Sequence, residues 1–219
     1  RRVPKSAIRL VTRSQIGHSP RDAFPKPARC LENRPSPRDA FPMPEISKNT
    51  QTNNLEPAEP QKLDLPEGAG PRHLVFHPSN GFIYVLNELD NTVAQIGKEN
   101  ERYSVKTVTS ILPEDFDAFS KAADIHISKD GKFIYASNRG HDSIAILEVA
   151  EDGSLTLIAN EPTKGKDPRN FQLTPDEKFV IVANQNSNNL VSYTRNPETG
   201  LMTYASEIAA PTPVCILFE

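Results

Sequence analysis

Tryptophan is absent from this chain, cysteine and methionine occur only twice each, and 7% of the 219 residues are aromatic. Two cysteines, Cys30 and Cys215, make neither a disulfide framework nor the paired spacing of a zinc site, and a reducing compartment, the cytoplasm, fits best. No run of 18 apolar residues exists, so no segment is expected to span a membrane as a helix. A glycine-rich phosphate loop is missing, as is a G-x-S-x-G nucleophile elbow. No two histidines stand at metal-ligand spacing with a carboxylate, so no metal is expected.

Proline, by contrast, is abundant: 20 residues against 10 glycines. Charge is uneven as well. Residues 1–60 carry 11 Lys/Arg against 6 Asp/Glu, and the remainder carries 14 against 22. An acidic main body argues against nucleic acid as a partner. The chain begins on Arg, and Arg1, Arg2, Lys5, Arg9 and Arg13 stand with no acid among the first 17 residues. That is the composition of a mitochondrial transit peptide, although Pro4 would interrupt its helix. The plainer expectation is a basic tail. Ten prolines fall within residues 1–60, and Ser19–Pro27 is nearly repeated as Ser36–Pro44. Proline at this density opposes both helix and sheet, so residues 1–60 are expected to be a disordered Pro-rich basic segment without a packed core.

From residue 61 the texture changes. Phe82–Leu86, Phe133–Ser137 and Phe179–Ala183 are runs of β-branched and aromatic residues. Each follows a polar turn and precedes another turn and strand, at Val93–Ile96, Ile144–Val149 and Leu190–Tyr193. Phe76, Ile127, Leu173 and Phe218 are equivalent anchors spaced 51, 46 and 45 residues apart. Four strands per unit at that period are the signature of β-propeller blades. The expected fold is all-β, a partial β-propeller over residues 61–219 with about three four-stranded blades. The longer first unit predicts an insertion around Ile111–Lys121 containing one helical turn. The last unit supplies a single strand, Val214–Phe218, and its N-terminal partner strand is expected to be absent, since residues 1–60 do not read as blades. Uncovered blade edges then predict self-association.

The repeat also places candidate chemistry. Eleven residues after each anchor stands an asparagine, Asn87, Asn138 or Asn184, followed by a varying residue, Glu88, Arg139 or Gln185. Four residues before each anchor stand Arg72, Ala123, Arg169 and Val214. Antiparallel pairing of the first two strands brings Arg72 and His73 beside Asn87 and Glu88, Asp124 beside Asn138 and Arg139, and Arg169 beside Asn184 and Gln185. First strands line the axial channel of a propeller, so these positions converge on one mouth of it. Arginine suits bidentate recognition of carboxylate or phosphate, and Glu and His suit proton transfer. The candidates are therefore Glu88 and His73 for catalysis, and Arg72, Arg139, Asn87, Asn138 and Arg169 for binding. The asparagines have a competing role, bonding turn backbone. A channel-mouth ion pair between Arg72 and Glu88 is the structural alternative to catalysis. His77, His126 and His141 read as packing or turn residues.

The segments Gly68-Ala69-Gly70-Pro71-Arg72-His73-Leu74-Val75-Phe76-His77-Pro78, Tyr84–Leu89, Ala122–Gly131, Tyr135–His141, Pro168–Phe171 and Val182–Gln185 resemble the seven-bladed lactonase propeller family. The resemblance extends over about residues 61–219. It implies a 6-phosphogluconolactonase of carbohydrate metabolism or a carboxymuconate-lactonising isomerase of aromatic breakdown, acting on a small anionic lactone without metal or organic cofactor. It implies that Arg72, Glu88 and Arg139 lie at the active-site mouth with His73 beside them. It also implies that other blades of the family supply a further active-site histidine, so a catalytically inactive fragment or binding scaffold is the third expectation.

Overall fold

The computed structural model describes the backbone of the strands at residues 8–12, 41–43, 46–48 and 55–57, and residues 61–100 and 102–218. The expectation that residues 1–60 lack a packed core lies otherwise outside the described residues. The early strands are β1 (Ile8–Thr12), β2 (Phe41–Met43), β3 (Ile46–Lys48), β4 (Leu55–Pro57) and β5 (Gln61–Leu63). β3 pairs with β4 and β2 with β5, both antiparallel, as two two-stranded sheets.

Three four-stranded antiparallel sheets follow. The first blade is β6 (Pro71–Phe76), β7 (Ile83–Asn87), β8 (Thr92–Glu99) and β9 (Arg102–Ser110). The second is β10 (Lys121–Ile127), β11 (Phe133–Arg139), β12 (Ser143–Val149) and β13 (Leu155–Pro162). The third is β14 (Pro168–Leu173), β15 (Phe179–Asn184), β16 (Asn189–Arg195) and β17 (Met202–Ala209). The innermost strands β6, β10 and β14 end on the anchors Phe76, Ile127 and Leu173. The fourth, β18 (Pro213–Phe218), ends on Phe218 and lies against β14.

Two expectations are corrected. β18 does have an N-terminal partner: β1 pairs with it antiparallel, Ile8 opposite Phe218 and Val11 opposite Cys215. Ile8, Leu10 and Val11 are a short apolar run that the surrounding positive charge and proline obscured. The second correction concerns residues 111–120, which contain no helical turn. The Phe116 amide donates to the Pro113 carbonyl (3.1 Å), closing a single β-turn, and both ends of the stretch are tied to neighbouring loops. The Ile111 amide donates to the Asn91 carbonyl (3.0 Å), and Asn91 Nδ2 donates to the Ser120 carbonyl (3.0 Å).

Both faces of each blade are apolar because both are covered, so the period-2 alternation separates two neighbours rather than core from solvent. Along β11, Ile134 and Ala136 enter the cluster shared with the first blade, with Tyr84, Leu86 and Leu147. Phe133 and Tyr135 enter the cluster shared with the third blade, with Phe171, Val182 and Tyr193. Ile181 and Ala183 of β15 face Ile216 on β18. Burying each large side chain in these junctions contributes about 1.5–3 kcal/mol.

A second tie runs between blades at the hairpins joining the two outer strands. The buried Tyr84 hydroxyl donates to the Gly153 carbonyl of the second blade (2.9 Å), and Tyr135 does the same to Gly200 of the third (2.8 Å). Both glycines sit at positive φ, +79° and +71°, where an L side chain is strained. Burial, followed by the charge of Asp152, pushes the Tyr84 hydroxyl up to about 12.

Candidate active site

Every innermost strand carries a bulge at the same point. The register shifts between Pro71 and His73, between Ala122 and Ile125, between Pro168 and Asn170, and on β18 opposite Val11/Thr12. An extra residue at a bulge re-aims the side chains around it. Arg72, Ala123 and Asp124, Arg169 and Val214 occupy those points, so the bulge turns the start of each innermost strand out of the regular pleat.

At the junction of the first two blades, two guanidinium groups grip one carboxylate. Arg72 Nη1 donates to Glu88 Oε2 (3.2 Å), and Arg139 Nη2 donates to Glu88 Oε1 (2.7 Å). The arginines are themselves anchored on the neighbouring bulge: Arg72 Nε on the Ala123 carbonyl (2.7 Å) and Arg139 Nη2 on that of Ala122 (3.0 Å). Arg139 Nε also faces Asp167 Oδ1 at 3.8 Å. All three site side chains remain partly open to solvent, Glu88 by 25%. Burial pushes the Glu88 carboxyl up, but the hydrogen bond from Arg139 and the charges of both arginines outweigh it and hold the group below its ordinary range. Two guanidiniums thus share the Glu88 carboxylate, with Asp167 as a second, more distant anion beside Arg139. A cleft of about 270 Å³ opens beside Arg139, with Lys121, Lys166, Asp142 and Asp167 on its walls. A larger one, about 570 Å³, lies at the hairpin end of the third blade around Arg195 and Glu198, away from these groups.

His73 crosses the same junction. Its Nδ1 lies 3.2 Å from Asp124 Oδ1, and His126 Nε2 lies 3.3 Å from Asp124 Oδ2. Asn170 Nδ2 donates to Asp124 Oδ2 (2.5 Å), and the Ile216 amide donates to Asn170 Oδ1 (2.7 Å). A belt of hydrogen bonds therefore runs from the first blade to β18. Burial alone would raise the Asp124 carboxyl, but His126 and His73, by charge and hydrogen bonding, hold it well below the usual carboxylate range.

A family model described as lactonase, 7-bladed β-propeller matches residues 42–218. The chain belongs to this lactonase propeller family. It is 40% identical over 155 residues to a 6-phosphogluconolactonase of Bacillus subtilis, covering 69% of this chain and 44% of that protein. It is 42% identical over 156 residues to a 6-phosphogluconolactonase of Formosa agariphila, covering 67% and 42%. Among solved structures, a protein from Lactobacillus plantarum matches with TM-score 0.72 and 34% identity, over 78% of this chain and 50% of that one. The periplasmic gluconolactonase of Pseudomonas aeruginosa matches with TM-score 0.66 and 30% identity, over 75% and 44%. The chain thus spans about half the length of the lactonase relatives it matches.

Within this lactonase propeller the sequence candidates separate into groups. Arg72, Glu88 and Arg139 meet, and His73 sits one residue from Arg72 on the same bulge. Arg169 holds the corresponding bulge two blades further round. Asn87 and Asn138 are fully buried, and their amides bond Thr92 Oγ1 (2.9 Å) and the Ile111 carbonyl (3.0 Å), as Asn184 bonds the Thr163 carbonyl (2.9 Å). Sequence reasoning did not single out Asp124 and His126 as site residues. The signal was present: His73, Asp124, Asn170 and Cys215 all stand three residues before an anchor, and three of the four are polar on an inner strand. His77 bonds the Gly131 carbonyl (3.1 Å), a tie from the first blade to a turn of the second, and His141 bonds Ser143 Oγ (2.6 Å) within its own turn. Among the described residues no helix is long and apolar enough to cross a membrane.

Proposed function

We propose that this chain carries the anion-binding and proton-transfer groups of a hydrolase that opens 6-phosphogluconolactone to 6-phosphogluconate. The single observation that carries the proposal is the pair of guanidiniums on Glu88, held across a blade junction by neighbouring backbone carbonyls. Relatives named 6-phosphogluconolactonase, at 40–42% identity, support the substrate.

In this reading Arg72 and Arg139 bind the anionic lactone and stabilise charge on its carbonyl oxygen as water adds. Glu88 tethers the two arginines, because a carboxylate held ionised by two cations is a weak base. His73 Nε2, on the ring edge away from Asp124, takes the proton from the attacking water. The ring C–O bond then breaks, and the imidazolium returns that proton to the departing ring oxygen. Asn87 and Asn138 act indirectly, by holding the loops at the mouth, and Arg169 contributes positive potential. A phosphorylated lactone carries charge that a bilayer excludes, so the cytoplasm is the compartment we propose.

The test is hydrolysis of 6-phosphogluconolactone, measured above the uncatalysed background, with gluconolactone and carboxymuconate assayed in parallel. The reading expects turnover of the phosphorylated lactone that Arg72→Ala and Arg139→Ala each suppress. Conversion of carboxymuconate alone would replace hydrolysis by lactonising isomerisation. Loss of no activity in either variant would remove the arginines from the site.

A further inference from the structure

The hydrogen bonds behind His73 dictate more than its position. Asp124 Oδ1 accepts from the Ile125 amide (3.0 Å) and faces His73 Nδ1. Oδ2 accepts from Asn170 Nδ2, lies 3.4 Å from the Phe171 amide and faces His126 Nε2. The Asp124 amide is bonded by Ser137 Oγ (3.0 Å). The groups facing the carboxylate are thus His73 from β6, His126 from β10, and Asn170 and Phe171 from β14. Its side chain is 5% exposed, so water does not replace them. An ionised carboxylate is an acceptor only, so the ring nitrogen facing each oxygen must carry the proton.

We propose that Asp124 is a positioning residue that fixes the two neutral imidazoles in opposite tautomers, His73 as Nδ1–H with Nε2 free to accept a proton, and His126 as Nε2–H. This rests on the reading of His73 as the proton carrier for its catalytic consequence, but the tautomers themselves do not. The arrangement follows the logic of a carboxylate behind a catalytic imidazole: the partner of one ring nitrogen decides what the other can do. Asparagine at 124 is nearly isosteric yet carries an N–H. It can donate to His73 Nδ1, move the proton to Nε2 and turn the base into a donor.

Long-range proton–nitrogen spectra of the imidazoles in the full chain, at a pH where the rings are neutral, test this. Assignment uses His73→Gln and His126→Gln. The expected wild-type pattern is Nδ1–H at His73 and Nε2–H at His126, with the His73 pattern unchanged in His126→Gln. In Asp124→Asn the His73 signal moves toward Nε2–H. Turnover in that variant falls about 100-fold or more in kcat with KM little changed. His73 found as Nε2–H in the wild type overturns the proposal even if Asp124→Asn does not fold. A tautomer shift in Asp124→Asn with kcat unchanged overturns the catalytic role of His73. A wild-type chain with the expected tautomers but no lactone turnover overturns the proposed reaction and supports the assignment of Asp124.

Discussion

The blades meet at two faces, and the two faces are built on different principles. At the hairpin face the same device is used twice: Tyr84 on Gly153 and Tyr135 on Gly200, above clusters of similar apolar residues. At the mouth face the backbone bulge repeats, but the residues on it do not. The first junction has Arg72, Glu88 and Arg139. The second has Arg139 near Asp167, with Gln185 where Glu88 would be. A junction needed only for cohesion can reuse one solution. A site that must hold, polarise and protonate needs unlike groups converging from successive blades.

Breaking the mouth face should have the largest effect. Arg139→Ala removes the shorter of the two contacts to Glu88, and kcat/KM for the phosphorylated lactone should fall roughly 100–1000-fold, the usual cost of a lost charge-stabilising donor. Steady-state kinetics on the folded variant checks it. In the apolar layer, Leu147 and Ile146 are adjacent on β12, fully buried, and enter opposite junctions. Leu147→Ala and Ile146→Ala should each destabilise by about 2–5 kcal/mol. Denaturant melts of the pair would rank how well each junction collapses around a void.

The hairpin face can be sharpened with Tyr135→Phe. Removing a hydroxyl costs about 1 kcal/mol for one lost hydrogen bond. Here the same hydroxyl also accepts from the buried Arg195 Nε (2.7 Å), so two bonds are lost together and a thermal melt should register about 1–2 kcal/mol. The two faces should also fail at opposite ends of the pH scale. Glu88 and Asp124 are held below their ordinary values, so the stability they contribute is complete above the unfolded value of about 4 and is lost as pH falls further. Tyr84 is pushed up to about 12, so its contribution is complete below the unfolded value of about 10 and is lost as pH rises toward 12. Melting temperature against pH should therefore show a shallower acid limb in Asp124→Asn, with the Glu88 part remaining, and an unchanged alkaline one.

Much of this organisation was legible before any coordinates. The anchors Phe76, Ile127, Leu173 and Phe218 mark the ends of the innermost strands because the same turn chemistry recurs after each, and antiparallel pairing alone brings Arg72 beside Glu88. The bulges were not legible. A bulge offsets the apolar alternation by one residue, but on strands covered on both faces that offset leaves no clear mark, and it decides that Arg72 and His73 both cross to the next blade. Asp124 was placed at the mouth without a role and His126 was read as packing, because what they do depends on contacts between strands some 50 residues apart in the chain. The tie between β1 and β18 was hidden for the same reason: a five-residue strand amid charge and proline has no local signal that names its partner.

The division of labour between the faces is tested most directly by measuring two quantities on two variants. For Arg72→Ala and Tyr84→Phe, kcat/KM on 6-phosphogluconolactone and the melting temperature are determined side by side. Arg72→Ala should lose at least about 100-fold in kcat/KM while its stability changes by no more than about 1 kcal/mol, as for a partly exposed ion pair. Tyr84→Phe should lose about 1 kcal/mol of stability and keep its kinetics. A folded Arg72→Ala chain with wild-type kcat/KM would contradict the account.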